Sequence, residues 1–118
     1  MSEAETVSNV ATARDLTAFQ QNVLIVLAEE SRYGLAIKRE LEDFYDEEVN
    51  HGRLYPNLDT LIERGLVEKS ELDKRTNEYA ITDEGIEVLL DSFEWRFKKF
   101  ITNDERAEKV KSLLEAAQ

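Results

Sequence analysis

The hydrophobic period of this chain changes twice, and the order of the changes restricts the fold. From Asp15 to Arg64 apolar residues recur every three or four positions. Leu16, Phe19, Val23 and Leu27 come first, then Ile37, Leu41 and Phe44, then Leu54, Leu58, Leu61 and Ile62. That spacing places each set on one face of an α-helix. Over LVEKSEL (66–72) and EYAIT (78–82) the period drops to two, with β-branched and aromatic residues, as strands require. DKRTN (73–77) between them is a polar turn with a basic tip. Helical spacing returns through Ile86, Leu89, Leu90, Phe93, Phe97 and Phe100, and again through Val110, Leu113 and Leu114. The chain therefore reads as mainly α with a small β-hairpin (α+β). Three helices followed by a two-stranded wing form a winged helix-turn-helix, whose third helix takes the recognition position and puts its N-terminal residues in the major groove.

Local signals set the expected boundaries. Asp15 is placed to cap the first helix, since its carboxylate can accept a free backbone N–H. Ile25 points away from the Leu16–Leu27 stripe, so that helix is apolar on two sides. Tyr33-Gly34 opens the second helix, with Ile37, Leu41 and Phe44 inward through about Asp46, and Asn50-His51-Gly52 interrupts it. Gly65 suits the left-handed position that closes the third helix. Thr82 caps the fourth, with Asp83 and Glu84 where the helix dipole favours negative charge, and Asn103-Asp104 ends it. The expected division is an N-terminal arm over residues 1–14, in which Val7 and Val10 could dock, a DNA-binding winged helix-turn-helix over 15–82, and a C-terminal dimerisation helix with a short terminal helix over 83–118.

Pro56 shapes the third helix. Proline has no N–H to offer, so it suits a helix start, where amides are free in any case. It also steers Tyr55 away from helical geometry. The helix is expected either to begin around Arg53-Leu54 or to bend at Pro56. At about 100° per residue, Arg53, Pro56 and Thr60 lie off the apolar face, with Asn57 and Arg64 at its edges.

Composition bears on function. The chain has 118 residues, enough for one domain. It has no cysteine, so it has no disulfide, thiol centre or cysteine-based zinc site. The single histidine, His51, has no second His or Cys to complete a metal site. No Gly-rich phosphate loop, Cys nucleophile or Ser-His pair is present, so an enzyme, a catalytic residue, a metal and a cofactor are not expected. No apolar run reaches membrane-spanning length, and MSEAETVSNVATAR lacks the basic start and apolar core of a signal peptide. A cytoplasmic protein without membrane contact is expected.

Acids outnumber bases 26 to 15, for a formal net charge of −11. Net negative charge opposes nucleic acid binding on average, but the charge is patterned. Residues 40–48 hold six acids and no base, while 32–39 and 96–103 each hold three bases and no acid. Such runs are also what ordinary solvated faces look like, and an acidic surface also suits a very salty cytoplasm.

These residues resemble a known family. GRLYPNLDTLIERGLV is similar to the signature of PadR-type transcription regulators: a Gly, Leu-Tyr-Pro, a Leu pair, then Gly-Leu-Val. Tyr33-Gly34 before an Ile-x-x-x-Leu helix resembles that family's second helix. Tyr79-Ala-Ile-Thr-Asp-Glu-Gly85 resembles its second wing strand and the start of its dimerisation helix. The likeness spans roughly residues 15–100, and the acidic bias is that of a haloarchaeal member. It implies a homodimeric winged helix that binds promoter DNA, usually as a repressor, and further implies an oxidative-stress response in a high-salt cytoplasm. Without Cys, and with Met1 as the one methionine, direct thiol or methionine-sulfoxide sensing is excluded. The family's wing and recognition helix are usually more basic. Here residues 59, 63, 68, 71, 73 and 78 are acidic.

The expected double-stranded DNA contacts follow. On the recognition helix they are His51, Arg53, Tyr55, Asn57, Thr60 and Arg64. Arg can pair with guanine O6/N7 and Asn with adenine N6/N7. Each has a plainer alternative: Arg53 as a surface or phosphate-bound arginine, Asn57 bonded to local backbone, His51 as a cap or phosphate contact, and Tyr55 as half core. On the wing the candidates are Lys69, Lys74, Arg75, Thr76 and Asn77. On the second helix Lys38 and Arg39 are expected at the DNA backbone. Monovalent cations at the DNA interface are a further expected partner.

Trp95 and Val88 lie about 180° from the Ile86–Phe93–Phe97 stripe. That makes Val88, Trp95 and Lys99, with Ile25, the expected dimer contacts and leaves the phenylalanine stripe for the core. The rival reading is a winged-helix protein-interaction module without direct DNA binding, which needs no basic wing.

Overall fold

The computed structural model describes residues 15–73 and 76–118. The expected arm, with Val7 and Val10, and the wing-tip pair Lys74 and Arg75 lie outside the described residues. The elements are α1 (Ala18–Glu29), β1 (Arg32–Tyr33), α2 (Gly34–Tyr45), α3 (His51–Glu63), β2 (Val67–Glu71), β3 (Asn77–Ile81), α4 (Asp83–Phe100) and α5 (Asp104–Ala116). The fold is a winged helix, mostly helical with one small antiparallel sheet.

α1 starts two residues later than Asp15 suggested. Thr17 is the cap: its hydroxyl accepts the Gln20 N–H at 3.1 Å, and the Gln20 side-chain carbonyl accepts the Thr17 N–H at 3.0 Å. This reciprocal box satisfies two amides at once, which a lone carboxylate at position 15 cannot. The Leu16, Phe19, Val23 and Leu27 stripe is buried as expected, and Leu24 joins it.

α2 presents Ile37 and Leu41 inward, but Phe44 is 70% exposed. Its expected core position goes to Tyr45, whose ring stacks on Phe19 with centroids 6.1 Å apart. The Tyr45 hydroxyl accepts from Asn22 Nδ2 at 2.8 Å. Asp46, at φ 54°, then ends the helix in the left-handed region.

α3 begins at His51, ahead of the Arg53-Leu54 start that is one of the two alternatives, because Asn50 serves as its cap and its Oδ1 accepts the Arg53 N–H at 2.8 Å. Pro56 thus falls inside the helix, where it forgoes a bond to the Gly52 carbonyl. The helix closes through Gly65 at φ 77°, with Gly65 N–H on the Ile62 carbonyl and Leu66 N–H on the Leu61 carbonyl, both at 3.0 Å.

The wing hairpin pairs Val67 with Ile81 and Glu71 with Asn77 at its two ends. The sheet has three strands in the order β1-β3-β2. β1, unforeseen in the sequence, pairs Arg32 with Tyr79 and Tyr33 with Glu78. One junction joins wing, α3 and α4. The Thr82 N–H donates to the Leu66 carbonyl, and the Thr82 hydroxyl donates to the Gly65 carbonyl while accepting the Gly85 N–H. A Cβ at position 85 would meet the Leu66 carbonyl oxygen at 2.5 Å, so only glycine fits this crossing.

On α4 Leu89 is buried and Trp95 exposed, as the spacing suggested, but other residues of both faces depart from it. Val88 is 1% exposed and sits in the core beside Leu89, so it is not available to a partner. Leu90, Phe93, Phe97 and Phe100, expected inward, are exposed. The cause is length. Only the first turns of α4, entered through Gly85, lie on the domain. Two turns past Val88 on the same side, Trp95 has run beyond the body and is 62% exposed. Of the described residues in α5, Val110 alone is buried, and Leu113 and Leu114 are exposed.

Candidate nucleic-acid interface

The helix-turn-helix is held by Glu42. Its carboxylate accepts from Lys38 Nζ and from the Val49 N–H, each at 2.9 Å. The Lys38 bond, then the Val49 bond, hold its pKa below the ordinary carboxylate value. This ties α2 to the loop that delivers α3, and it engages Lys38 inside the motif. Arg32 is likewise surrounded by carboxylates, from Glu29, Glu30 and Glu40. Of the three bases in residues 32–39, two are thus paired internally, and Arg39 is exposed.

On α3, Leu54, Leu58 and Leu61 anchor the helix in the core. His51, Arg53, Asp59, Glu63 and Arg64 are exposed, while Tyr55, Asn57 and Thr60 are half-buried. The exposed Arg53 guanidinium lies 4.0 Å from the centroid of Phe19 and 5.7 Å from that of Tyr45. A delocalised cation is attracted to such ring faces by about 0.5–1 kcal/mol at exposed sites. Asn57 donates through Nδ2 to the Arg53 carbonyl at 2.7 Å and accepts at Oδ1 from Gln20 Nε2 at 3.0 Å. The Thr60 hydroxyl donates to the Pro56 carbonyl at 3.1 Å. Tyr55 lies against His51, with ring centroids 5.5 Å apart, and over Gly34, where any Cβ would collide with its hydroxyl. Arg64 sits at the far end of the helix as its C-terminal cap residue.

The wing packs on α3 through Tyr79, which is buried. Its hydroxyl pKa is raised, first by burial and then by the nearby Tyr55 and Asp59. Lys69 is exposed on β2 opposite Tyr79, and Thr76 and Asn77 are half-buried where the Leu72 N–H meets the Thr76 carbonyl at 2.9 Å. Ser70 faces Glu78 across the hairpin and Glu71 faces Asn77, so acids alternate with the polar candidates.

On the expected dimer side, Ile25 is exposed on α1, and the Lys99 ammonium stands 6.0 Å from the Trp95 ring. Among the described residues no group of three or more His, Cys, Asp or Glu is placed to hold a metal ion. Among them, too, no helix is long and apolar enough to cross a membrane.

Three residues absent from the expected site shape it: Phe19, Gln20 and Tyr45. The Thr17-x-x-Gln20 pattern signals a capping box in sequence. Its reach to Asn57, 37 positions away, has no sequence signal.

A profile of the transcriptional regulator PadR-like family matches residues 23–91. Among solved structures, H. salinarum RosR grown from NaBr is 64% identical, with a TM-score of 0.86 over 89% of this chain and 96% of that one. The complex structure of hsRosR-S4 is 61% identical, with a TM-score of 0.89 over 92% and 95%. A transcriptional regulator from Clostridium thermocellum is 28% identical, with a TM-score of 0.57 over 68% and 84%. Comparison with curated proteins found no match.

Proposed function

The chain belongs to the PadR-like family as a winged-helix transcription regulator, and we propose that it binds promoter DNA as a homodimer, acting as a repressor in a high-salt cytoplasm. The observation that carries this reading is the placement of α3. Its leucines are buried while its N-terminal half carries Arg53 exposed, over the rings of Phe19 and Tyr45. Arg53 and Asn57 supply base contacts, and Arg39, Lys69, Lys74 and Arg75 supply phosphate contacts. The dimer forms through α4, whose exposed Leu90, Phe93, Phe97 and Phe100 add to Trp95 and to Ile25 of α1. If oxidants are the signal, the response enters through chemistry other than thiol or methionine oxidation.

Salt tests the reading. At about 0.1 M salt, electrostatic fields reach ~10 Å, and the duplex feels the whole acidic monomer. At about 1 M the reach is ~3 Å. Counterion release alone makes affinity fall with a log–log slope of about −0.9 per neutralised phosphate. Lost repulsion from Asp59, Glu63, Glu71 and Glu78, with potassium ions held between these acids and phosphates, opposes that fall. Fluorescence anisotropy with a promoter duplex should show a shallow slope, or affinity rising toward molar potassium chloride. A steep loss of binding between about 50 mM and about 1 M, with the protein folded throughout, would refute it.

The net charge and the acids on α3 favour a second reading, a protein-interaction module. Replacing Arg53, Asn57, Lys74 and Arg75 together by alanine decides between them. Unchanged DNA affinity selects the module.

A further inference from the structure

The hydrogen bonds at the first turn of α1 form a chain with only one possible polarity. At one end is the Thr17 backbone N–H, which can only donate, and it donates to Gln20 Oε1 at 3.0 Å. The other end of that amide, Nε2, therefore faces Asn57 as a donor, at 3.0 Å from Oδ1. Asn57 Nδ2 is then turned to the Arg53 carbonyl, which can only accept, at 2.7 Å. Side-chain amides usually leave two orientations open. Here both amides are fixed, because each end of the chain terminates on a backbone group. Gln20 is 8% exposed and is the one buried polar residue among those described. Its neighbour Phe19 carries the Arg53 guanidinium on its ring. Consecutive residues of α1 thus hold the two α3 side chains assigned to base reading.

We propose that Gln20, which does not itself face DNA, is a specificity-determining positioning residue that sets which groups of Asn57 are presented to the operator. The inference rests on the DNA-binding reading above. An asparagine amide has two N–H groups and two oxygen lone pairs. Gln20 and the Arg53 carbonyl take one of each, leaving one N–H and one lone pair. That is the combination that reads adenine N7 and N6.

Gln20→Glu isolates this role. A glutamate still accepts the Thr17 N–H, as capping boxes commonly do, so the α1 start is kept. It has no N–H for Asn57, and its carboxylate opposes Oδ1. If Asn57 turned its amide to donate to that carboxylate, its oxygen would face the Arg53 carbonyl. The fixed pose is lost either way. Gln20→Met removes both bonds without adding charge and serves as the neutral companion.

The test uses the full chain and a duplex DNA library with a randomised centre, selected in parallel with wild type, Gln20→Glu, Gln20→Met and Asn57→Ala. Asn57→Ala should lose about tenfold discrimination at one base pair per half-site, and both Gln20 variants should lose it at that same base pair. Discrimination should fall more than affinity for unselected duplex, which loss of folding would not produce. Combining Gln20→Glu with Asn57→Ala should add nothing further. Independently of DNA, the Asn57 side-chain amide resonances in a nitrogen–proton spectrum should shift in both Gln20 variants.

If Asn57→Ala degrades the motif and neither Gln20 variant does, the inference fails while the DNA reading stands. If wild type enriches no motif, the DNA reading fails and takes the inference with it. Asn57 resonances unmoved by Gln20→Glu would overturn the hydrogen-bond chain itself.

Discussion

The two halves of the molecule treat their large apolar residues in opposite ways. From Leu16 to Val67 the helix stripes close on one another, and Leu24, Ile37, Leu41, Leu54, Leu58 and Leu61 are fully buried. From Leu90 onward the chain carries Leu90, Phe93, Trp95, Phe97, Phe100, Leu113 and Leu114, and all of them stand in solvent. A set of apolar residues this large on adjoining helices marks an association surface. The first half therefore owes its stability to intrachain packing, and in the proposed homodimer the second half leaves part of its burial to another copy.

Substitutions can break that contrast. The largest effect is expected in the closed half. Leu58→Ala, at a fully buried position of α3, should cost about 2–5 kcal/mol, read by chemical denaturation at fixed salt. The loss should not depend on protein concentration below the dimer range. Phe97→Ala should leave that monomer stability nearly intact and weaken dimerisation by about 2 kcal/mol, roughly thirtyfold. Sedimentation across a dilution series measures it, and a wild type that stays monomeric at working concentration would end the contrast. Trp95→Ala should act in the same direction.

Thr17→Ala removes the hydroxyl half of the α1 capping box and should cost about 1 kcal/mol of unfolding free energy. The smallest effect concerns pH. Because Lys38 and the Val49 N–H hold the Glu42 pKa below its unfolded value, the group stabilises the fold above that unfolded value. The contribution is lost as pH falls through the lower, folded pKa. Glu42→Gln should flatten this part of the acid limb of the stability curve. An unchanged limb would show that Glu42 contributes nothing there.

Most of the closed half could be read from sequence, because each element carries its own punctuation. Period, Thr82 at a helix start and Gly65 at a helix end are local signals, and all three hold in the structure. The misreadings have a common cause. Asp15 and Thr17 are both acceptable caps, and only the glutamine three residues after Thr17 decides between them. β1 is two residues long, too short to show a period. α4 is apolar on two faces, and how far along it burial extends depends on how Gly85 crosses the Leu66 carbonyl, a contact spanning the wing. For the interface, sequence pointed to Arg53 and Asn57. It could not show that α1 already holds both, since those partners lie more than thirty positions away.

The junction at Thr82 has a mechanical consequence. It bonds the end of α3 and the start of α4 to each other through the Gly65 and Leu66 carbonyls, so a tilt of α4 at this end is passed to the recognition helix. The 18 residues of α4 extend about 27 Å at 1.5 Å per residue. A rotation of about 5° at this end moves the far end by roughly 2 Å over that length. In a homodimer joined along α4, a small change in how the two α4 helices meet would therefore alter the separation of the two recognition helices. Its first visible effect would be on the number of base pairs tolerated between half-sites, before any change in the bases preferred within them.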